Sequence, residues 1–320
     1  MIRLLTGFLL LLAPLPSWAQ GRHEFTELHM GLAVRMVLHA PDTATARRAA
    51  RAAYDRIAEL EDVFSDYRSE SEVRQLEDHP GEWTPASPEL LEVLRTALLV
   101  AALTNGAFDP TAGPLTRLWR QARAENALPS DVALDSAHAL VNWRHVHLNG
   151  LLSAVRLDRP DMRLDLGGIA KGYILGRALE VLRQQDTPSA LIEAGGDIVL
   201  GDPPPGRPGW DVAVQGMEPG LLSNLAVATS GTTEQYLEIA GVRYAHIIDP
   251  RTGLGLTTSL LASVVGPDPA LADALATALV VLGTQDPQRL LAGFPRYRAS
   301  LLVPDQLEVT ARSPRSQLRP

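Results

Sequence analysis

A chain of 320 residues without a single cysteine has no disulfides, thiolate zinc, iron–sulfur cluster or cysteine nucleophile available to it. Its formal net charge of −8 argues against a nucleic-acid binder, which would carry a basic patch. Hydrophobic residues make up 46% of the chain, ample for a large core.

The first 19 residues read as a leader. Arg3 gives a short positive region, Leu4 to Leu12 an apolar core, and Ser17-Trp18-Ala19 a small-x-small cleavage site, with the cut expected between Ala19 and Gln20. The apolar run is too short to span a bilayer, so cleaved export to the periplasm is expected rather than an anchor. No cysteine follows it, which closes the lipoprotein route, and loss of Arg3 takes the net charge from −8 to −9. Residues 20–310 are expected to form one domain and 311–320 a disordered tail.

Within the domain a strand is expected over 32–40, LAVRMVLHA. An amphipathic helix follows over 45–63, with Ala49, Ala53, Ile57, Leu60 and Val63 at helical spacing. Residues 87–106 predict a second helix, with Ser87 as N-cap, Pro88 at the first position and Asn105-Gly106 as stop. VRLDRPDMRLDLGG (155–168) reads as a hairpin feeding a helix over 169–184. Short strands follow, among them 189–201, 225–231, 244–250 and 260–266, then a helix over 269–283 and closing strands at 299–304 and 306–310. Helices mixed with mostly antiparallel strands, without regular βαβ alternation, indicate α+β.

LDLGGIAKGY (164–173) holds Lys171, the only lysine in the chain. Asp165-Leu166-Gly167-Gly168 ends a strand and Ile169 begins a helix, a junction whose N–H groups bind anions and where a lysine reaches a phosphate as a point charge. A tight turn with a solvated lysine fits the spacing as well. Gly195-Gly196-Asp197 reads either as a β-bulge with Asp197 as a cap or as the close approach of a ligand. His246 suits a general base or a satisfied strand histidine, and Pro250-Arg251-Thr252-Gly253 a turn able to grip a phosphate. Asp273 and Thr277, four apart on one helix face, suit a hard cation such as Mg2+; dipole stabilisation and back-bonding explain them equally. Phe108, in the Gly/Pro-rich TNGAFDPTAGPL (104–115), suggests a planar ligand, because a loop is a poor place for core packing. His145 and His147 lack a third ligand nearby and read as surface residues on one strand face.

Taken in order, these motifs resemble the ApbE family of FAD:protein FMN transferases. Met30-Gly31 opens the first strand, and FSDYRSESEVRQLE (64–77) is similar to the family's Phe-Ser-x-Tyr…Ser-Glu loop. GAFDPTAGPL, DLGGIAKGY, AGGD, ATSG, HIIDPRTG and ADALATAL then follow. The resemblance spans roughly Met30 to Gly283. It implies an ApbE-like fold of mixed, mostly antiparallel sheets with packed helices in two closely joined lobes. It also implies flavin contacts at Met30, Tyr67, Ala107, Phe108, Asp109, Asp165, Lys171 and the backbone around Ile248. Mg2+ would be held by the Gly168 carbonyl, Asp273 and Thr277. His246 matches the histidine that looks catalytic, with Asp109 or Asp249 to orient it. The implied reaction moves FMN from FAD to a threonine hydroxyl of client flavoproteins, such as subunits of Na⁺-pumping NADH:quinone reductase and Rnf-type complexes, and releases AMP. A Mg2+-dependent FAD pyrophosphatase and a non-catalytic FAD-binding protein are the alternatives. The chain departs from the family in carrying Glu193 where asparagine is frequent and Thr232-Thr233-Glu234 where an aromatic is common.

Overall fold

The computed structural model describes residues 20–233, 236–284 and 287–303. The leader, Glu234, the strand expected at 306–310 and the tail at 311–320 lie outside the described residues.

The central sheet has seven strands: β1 (Gly21–His29), β2 (Leu32–Ala40), β3 (Ala190–Ala194), β4 (Asp197–Leu200), β5 (Ala226–Gly231), β6 (Leu261–Gly266) and β7 (Arg298–Leu302). They lie side by side in chain order, every neighbouring pair antiparallel. Five helices complete the frame: α1 (Thr43–Phe64), α2 (Pro88–Leu103), α3 (Gly113–Glu125), α4 (Ala170–Gln184) and α5 (Pro269–Leu282). α4 packs between α1 and α5, α1 lies against β2, and α5 lies against β5 and β6. Strand alternation divides the core accordingly. Val34, Met36 and Leu38 of β2 face the helices, whereas Val37 faces the other side with Leu191, Val227, Val265 and Trp210.

Local signals set the helix ends. The Asp42 carboxylate accepts the Thr45 N–H at 2.8 Å and starts α1 at Thr43, two residues before the expected start. Ser87 caps α2 through the Leu90 N–H at 3.1 Å, and Asn105 and Gly106 turn left-handed (φ +49° and +80°) past its end. Asp268 caps α5 through the Leu271 N–H.

Four expectations are corrected. β1 went unread, so Met30-Gly31 is the two-residue turn of a hairpin rather than the opening of the first strand. Residues 155–168 are not a hairpin: Ala154–Leu157 pairs with Val146–Asn149, and the stretch after it is not strand. Buried Glu77 holds that stretch instead, accepting the Leu164 N–H at 2.7 Å and an Arg163 N–H at 2.7 Å. Gly195-Gly196 is not a bulge within one strand but the tight turn from β3 to β4, with φ of +52° and +86°. His145 lies in a 3-10 turn rather than a strand, yet its Nδ1 and His147 Nε2 both face Asp158 Oδ2, at 3.5 and 2.6 Å. Asp158, already bound by Arg156 at 3.2 Å, makes this a surface charge cluster.

Candidate active site

The first turn of α4 is built irregularly. The Leu166 carbonyl accepts the N–H groups of both Ile169 (3.1 Å) and Ala170 (2.8 Å), and the Gly167 N–H donates to Asp165 Oδ1 at 2.9 Å. In a regular helix the Gly172 N–H would bond to the Gly168 carbonyl. Here it donates to Asp273 Oδ2 of α5 at 3.0 Å, which releases the Gly168 carbonyl from the helical ladder. A Cβ at residue 168 would stand 2.9 Å from Thr277 Oγ1 and 3.2 Å from Phe108 Cε2, so only glycine lets this turn close on α5. Gly168, Asp273 and Thr277, 109 residues apart at the extremes, are thus brought together.

Lys171 leads from the same turn toward the β3–β4 hairpin. Its ammonium stands 3.1 Å from Asp197 Oδ2 and donates to the Gly195 carbonyl at 3.3 Å. Asp197 Oδ1 accepts the Thr229 N–H at 3.0 Å. Both aspartates are buried, 2% and 5% exposed, and burial is what raises their pKa values. Asp273 is pushed up to about 7, first by burial and then by the Asp197 charge, against the pull of Lys171 and the Gly172 N–H. For Asp197 the main counterweight to burial is Lys171.

This arrangement fits a hard divalent cation. The donors are a carboxylate, a hydroxyl and a freed carbonyl, all oxygen, and the carboxylate is under-compensated for its burial. Among the described residues no group of three or more His, Cys, Asp or Glu is placed to hold a metal.

Of the remaining candidates, Asp165 belongs to the turn itself and Phe108 lies against Gly168. Asp165 accepts a hydrogen bond from Thr116 of α3 at 2.6 Å, and its N–H donates to the Pro110 carbonyl. Tyr67 projects from the loop after α1, 78% exposed. Met30 adopts φ +54°, a left-handed conformation costing about 1 kcal/mol for a non-glycine residue. Glu61 of α1 steadies it by accepting its N–H. The next strand residue, Leu32, lies against Gly195, whose carbonyl holds Lys171.

Ala107 and Phe108 are buried, with Phe108 only 5% exposed and part of the main core, so the expectation that a loop aromatic is not spent on packing is corrected. Asp109 is committed to its own turn: Oδ1 accepts from the Thr111 N–H (2.8 Å) and hydroxyl (2.6 Å), and Oδ2 from the Trp143 N–H (3.0 Å). Asp249 is likewise bound by Arg251, Nε to Oδ1 at 2.9 Å, so this guanidinium grips its own turn rather than reaching out for a phosphate. His246 is half-buried between two short strands, Val242–Ala245 and Ile248–Asp249. Ile247 shares a hydrophobic cluster with Ala107, Leu275 and Ala276, and Ile248 shares one with Leu115 and Trp119. The histidine's backbone is therefore wedged between α3 and α5.

The family model described as ApbE matches residues 30–301. The chain belongs to the ApbE family. A Treponema pallidum (strain Nichols) relative named FAD:protein FMN transferase is 36% identical over 239 residues, covering 68% of this chain and 66% of the relative. One of the same name from Klebsiella pneumoniae (strain 342) is 32% identical over 267 residues, covering 82% and 83%. The crystal structure of the ApbE protein of Thermotoga maritima superposes with a TM-score of 0.78 at 30% identity, covering 92% of this chain and all of that one. The α+β architecture expected from the sequence is the one shared with that structure.

Against the ApbE pattern, the departure at Glu193 acquires a physical reason. Arg35 stands directly across the β2–β3 pair and bonds Glu193 through Nε at 3.0 Å, so the acid is half of a cross-strand ion pair. Sequence reasoning left Asp197 undecided between cap and ligand contact, when its structural partner is Lys171. Asp66 falls inside FSDYRSESEVRQLE without a role of its own, and Thr116 and Arg120 go unread together with the helix α3 that carries them.

Proposed function

We propose that this chain transfers the FMN moiety of FAD to a threonine hydroxyl of client flavoproteins and releases AMP, with Mg2+ held by the Gly168 carbonyl, Asp273 and Thr277. The diverted Gly172 N–H carries the reading: it orients the buried Asp273 carboxylate and frees the Gly168 carbonyl in one contact. Bound Mg2+ would supply charge neutralisation on the pyrophosphate, where phosphoryl transfer needs it most. Lys171, steadied by Asp197 and the Gly195 carbonyl, offers a fixed point charge to an anionic group. Met30, Tyr67 and Asp165 bind the flavin end. Ala107, Phe108 and Ile248 wall the site, and Asp109 holds the turn that carries Phe108.

In the reaction the bond from the FMN phosphorus to the bridging oxygen breaks, its electron pair leaving with AMP. A bond from the threonine oxygen to that phosphorus forms, and His246 accepts the hydroxyl proton. Precise positioning of donor and acceptor supplies much of the acceleration. The leader pattern of Arg3, Leu4 to Leu12 and Ser17-Trp18-Ala19 supports a periplasmic setting for the reaction. None of the helices in the described residues is long and apolar enough to cross a membrane.

Incubation with FAD, Mg2+ and a client flavoprotein bearing an acceptor threonine tests the proposal. Client carrying covalent flavin, with one AMP per transfer, is the expected product. Free FMN with AMP would replace the reading by hydrolysis, and bound, unchanged FAD by storage.

A further inference from the structure

We infer that Arg120 is a positioning residue for the flavin: anchored by Asp66, it backs one face of the Tyr67 ring and presents the other to the isoalloxazine. The inference rests on the flavin-transferase reading. Its physical basis is a contrast between exposure and restraint. A tyrosine that is 78% exposed on a loop ordinarily samples several rotamers, and ordering it on binding subtracts from affinity. Here the Arg120 guanidinium carbon lies 4.3 Å from the ring centroid. The guanidinium is itself held by an ion pair to Asp66, whose side chain is 22% exposed. The loop backbone is tied down as well, since Ser65 Oγ accepts the N–H groups of Tyr67 (3.3 Å) and Arg68 (3.2 Å).

The same helix face ties this platform to the glycine turn. Thr116 and Arg120 are one turn apart on α3. Thr116 donates to Asp165 at 2.6 Å, Asp165 accepts from Gly167, and the charges of Asp66 and Asp165 both act on Arg120. A ring stacked on Tyr67 is therefore referenced, through one rigid helix, to the turn that carries Gly168. The ion pair spans 54 residues of sequence.

A double-mutant cycle reads the inference. FAD affinity, followed by flavin fluorescence, is measured for the wild type, Arg120→Ala, Tyr67→Ala and the double variant, with thermal melting to confirm folding. Arg120→Ala is expected to weaken FAD about 5- to 10-fold, raising KM with kcat largely kept. In the Tyr67→Ala background it should add less than about 2-fold. Arg120→Lys should recover part of the affinity, and FMN should suffer as FAD does while AMP does not. Additive losses in the cycle, undiminished FAD affinity in Arg120→Ala, or a loss confined to AMP would each overturn the inference while leaving the transferase reading intact. A folded wild type that binds no FAD would overturn both.

Discussion

The backbone N–H of Gly172 donates to Asp273 Oδ2 over 3.0 Å, so the first turn of one helix and the second turn of another meet at a single carboxylate. That contact leaves no room for a side chain at residue 172. A Cβ at 172 would lie 2.2 Å from the Pro269 carbonyl oxygen and 3.0 Å from Asp273 Cβ. Gly172→Ala should cost about 2–3 kcal/mol, because both obstacles belong to packed helices rather than flexible side-chain ends. A variant that melted with the wild type would show that α4 and α5 are less tightly apposed than described.

The second prediction concerns pH. Asp273 titrates near 7 in the folded chain against about 3.8 as an ordinary aspartate, so the folded state binds more protons between those values. Stability must then fall as pH rises from about 4 to about 7 and level off above, the reverse of the usual carboxylate trend. Asp197 is raised as well and shares the same titration, so the slope belongs to the pair. Asp273→Asn should flatten it and leave the metal-free variant more stable than the wild type at pH 8. Adding Mg2+ at pH 8 should raise the melting temperature of the wild type and not that of the variant. An identical response in both would refute the metal assignment.

Lys171→Arg should preserve charge and lose function. The ammonium fits between Asp197 at 3.1 Å and the Gly195 carbonyl at 3.3 Å, a gap shaped for a compact group. A planar guanidinium must displace one of them. Turnover should fall at least about 10-fold with the melting temperature little changed; full activity would reduce Lys171 to a structural counter-ion.

His246→Ala separates chemistry from binding. FAD affinity should stay within a few-fold, while single-turnover transfer to the client drops about 100- to 10,000-fold. Loss of FAD binding in a folded variant would reassign His246 to the architecture of the site.

Asp109→Ala should act mainly through stability. Its carboxylate accepts three hydrogen bonds, two from Thr111 and one from the Trp143 N–H, and removing it strands those donors. A loss of about 2–4 kcal/mol is expected. A variant that melted normally yet lost turnover would return Asp109 to the role of orienting His246.

The sequence made legible whatever is decided locally. Ser87 and the Asn105-Gly106 stop mark the ends of α2 within a few residues, and the i, i+4 spacing of Asp273 and Thr277 survives unchanged into α5. What escaped is decided at long range or by edges. β1 carries charges along an edge strand and shows no apolar alternation to betray it. The stretch at 163–165 looks like a strand but is held by Glu77, 87 residues away from Leu164. Phe108 reads as a loop aromatic until the Gly168 turn closes over it. Arg120 and Asp66 carry no pairing signal at all until α3 is folded against the loop after α1.

The chain's exclusive use of arginine elsewhere gives Lys171 one more property. Apart from the amino terminus it bears the only primary amine in the molecule, on a side chain 20% exposed and ion-paired to a buried acid. Amine-selective acylation is therefore a one-site reporter. Its rate in the resting protein measures how often the ammonium leaves Asp197, and protection by an added nucleotide measures occupancy without any turnover.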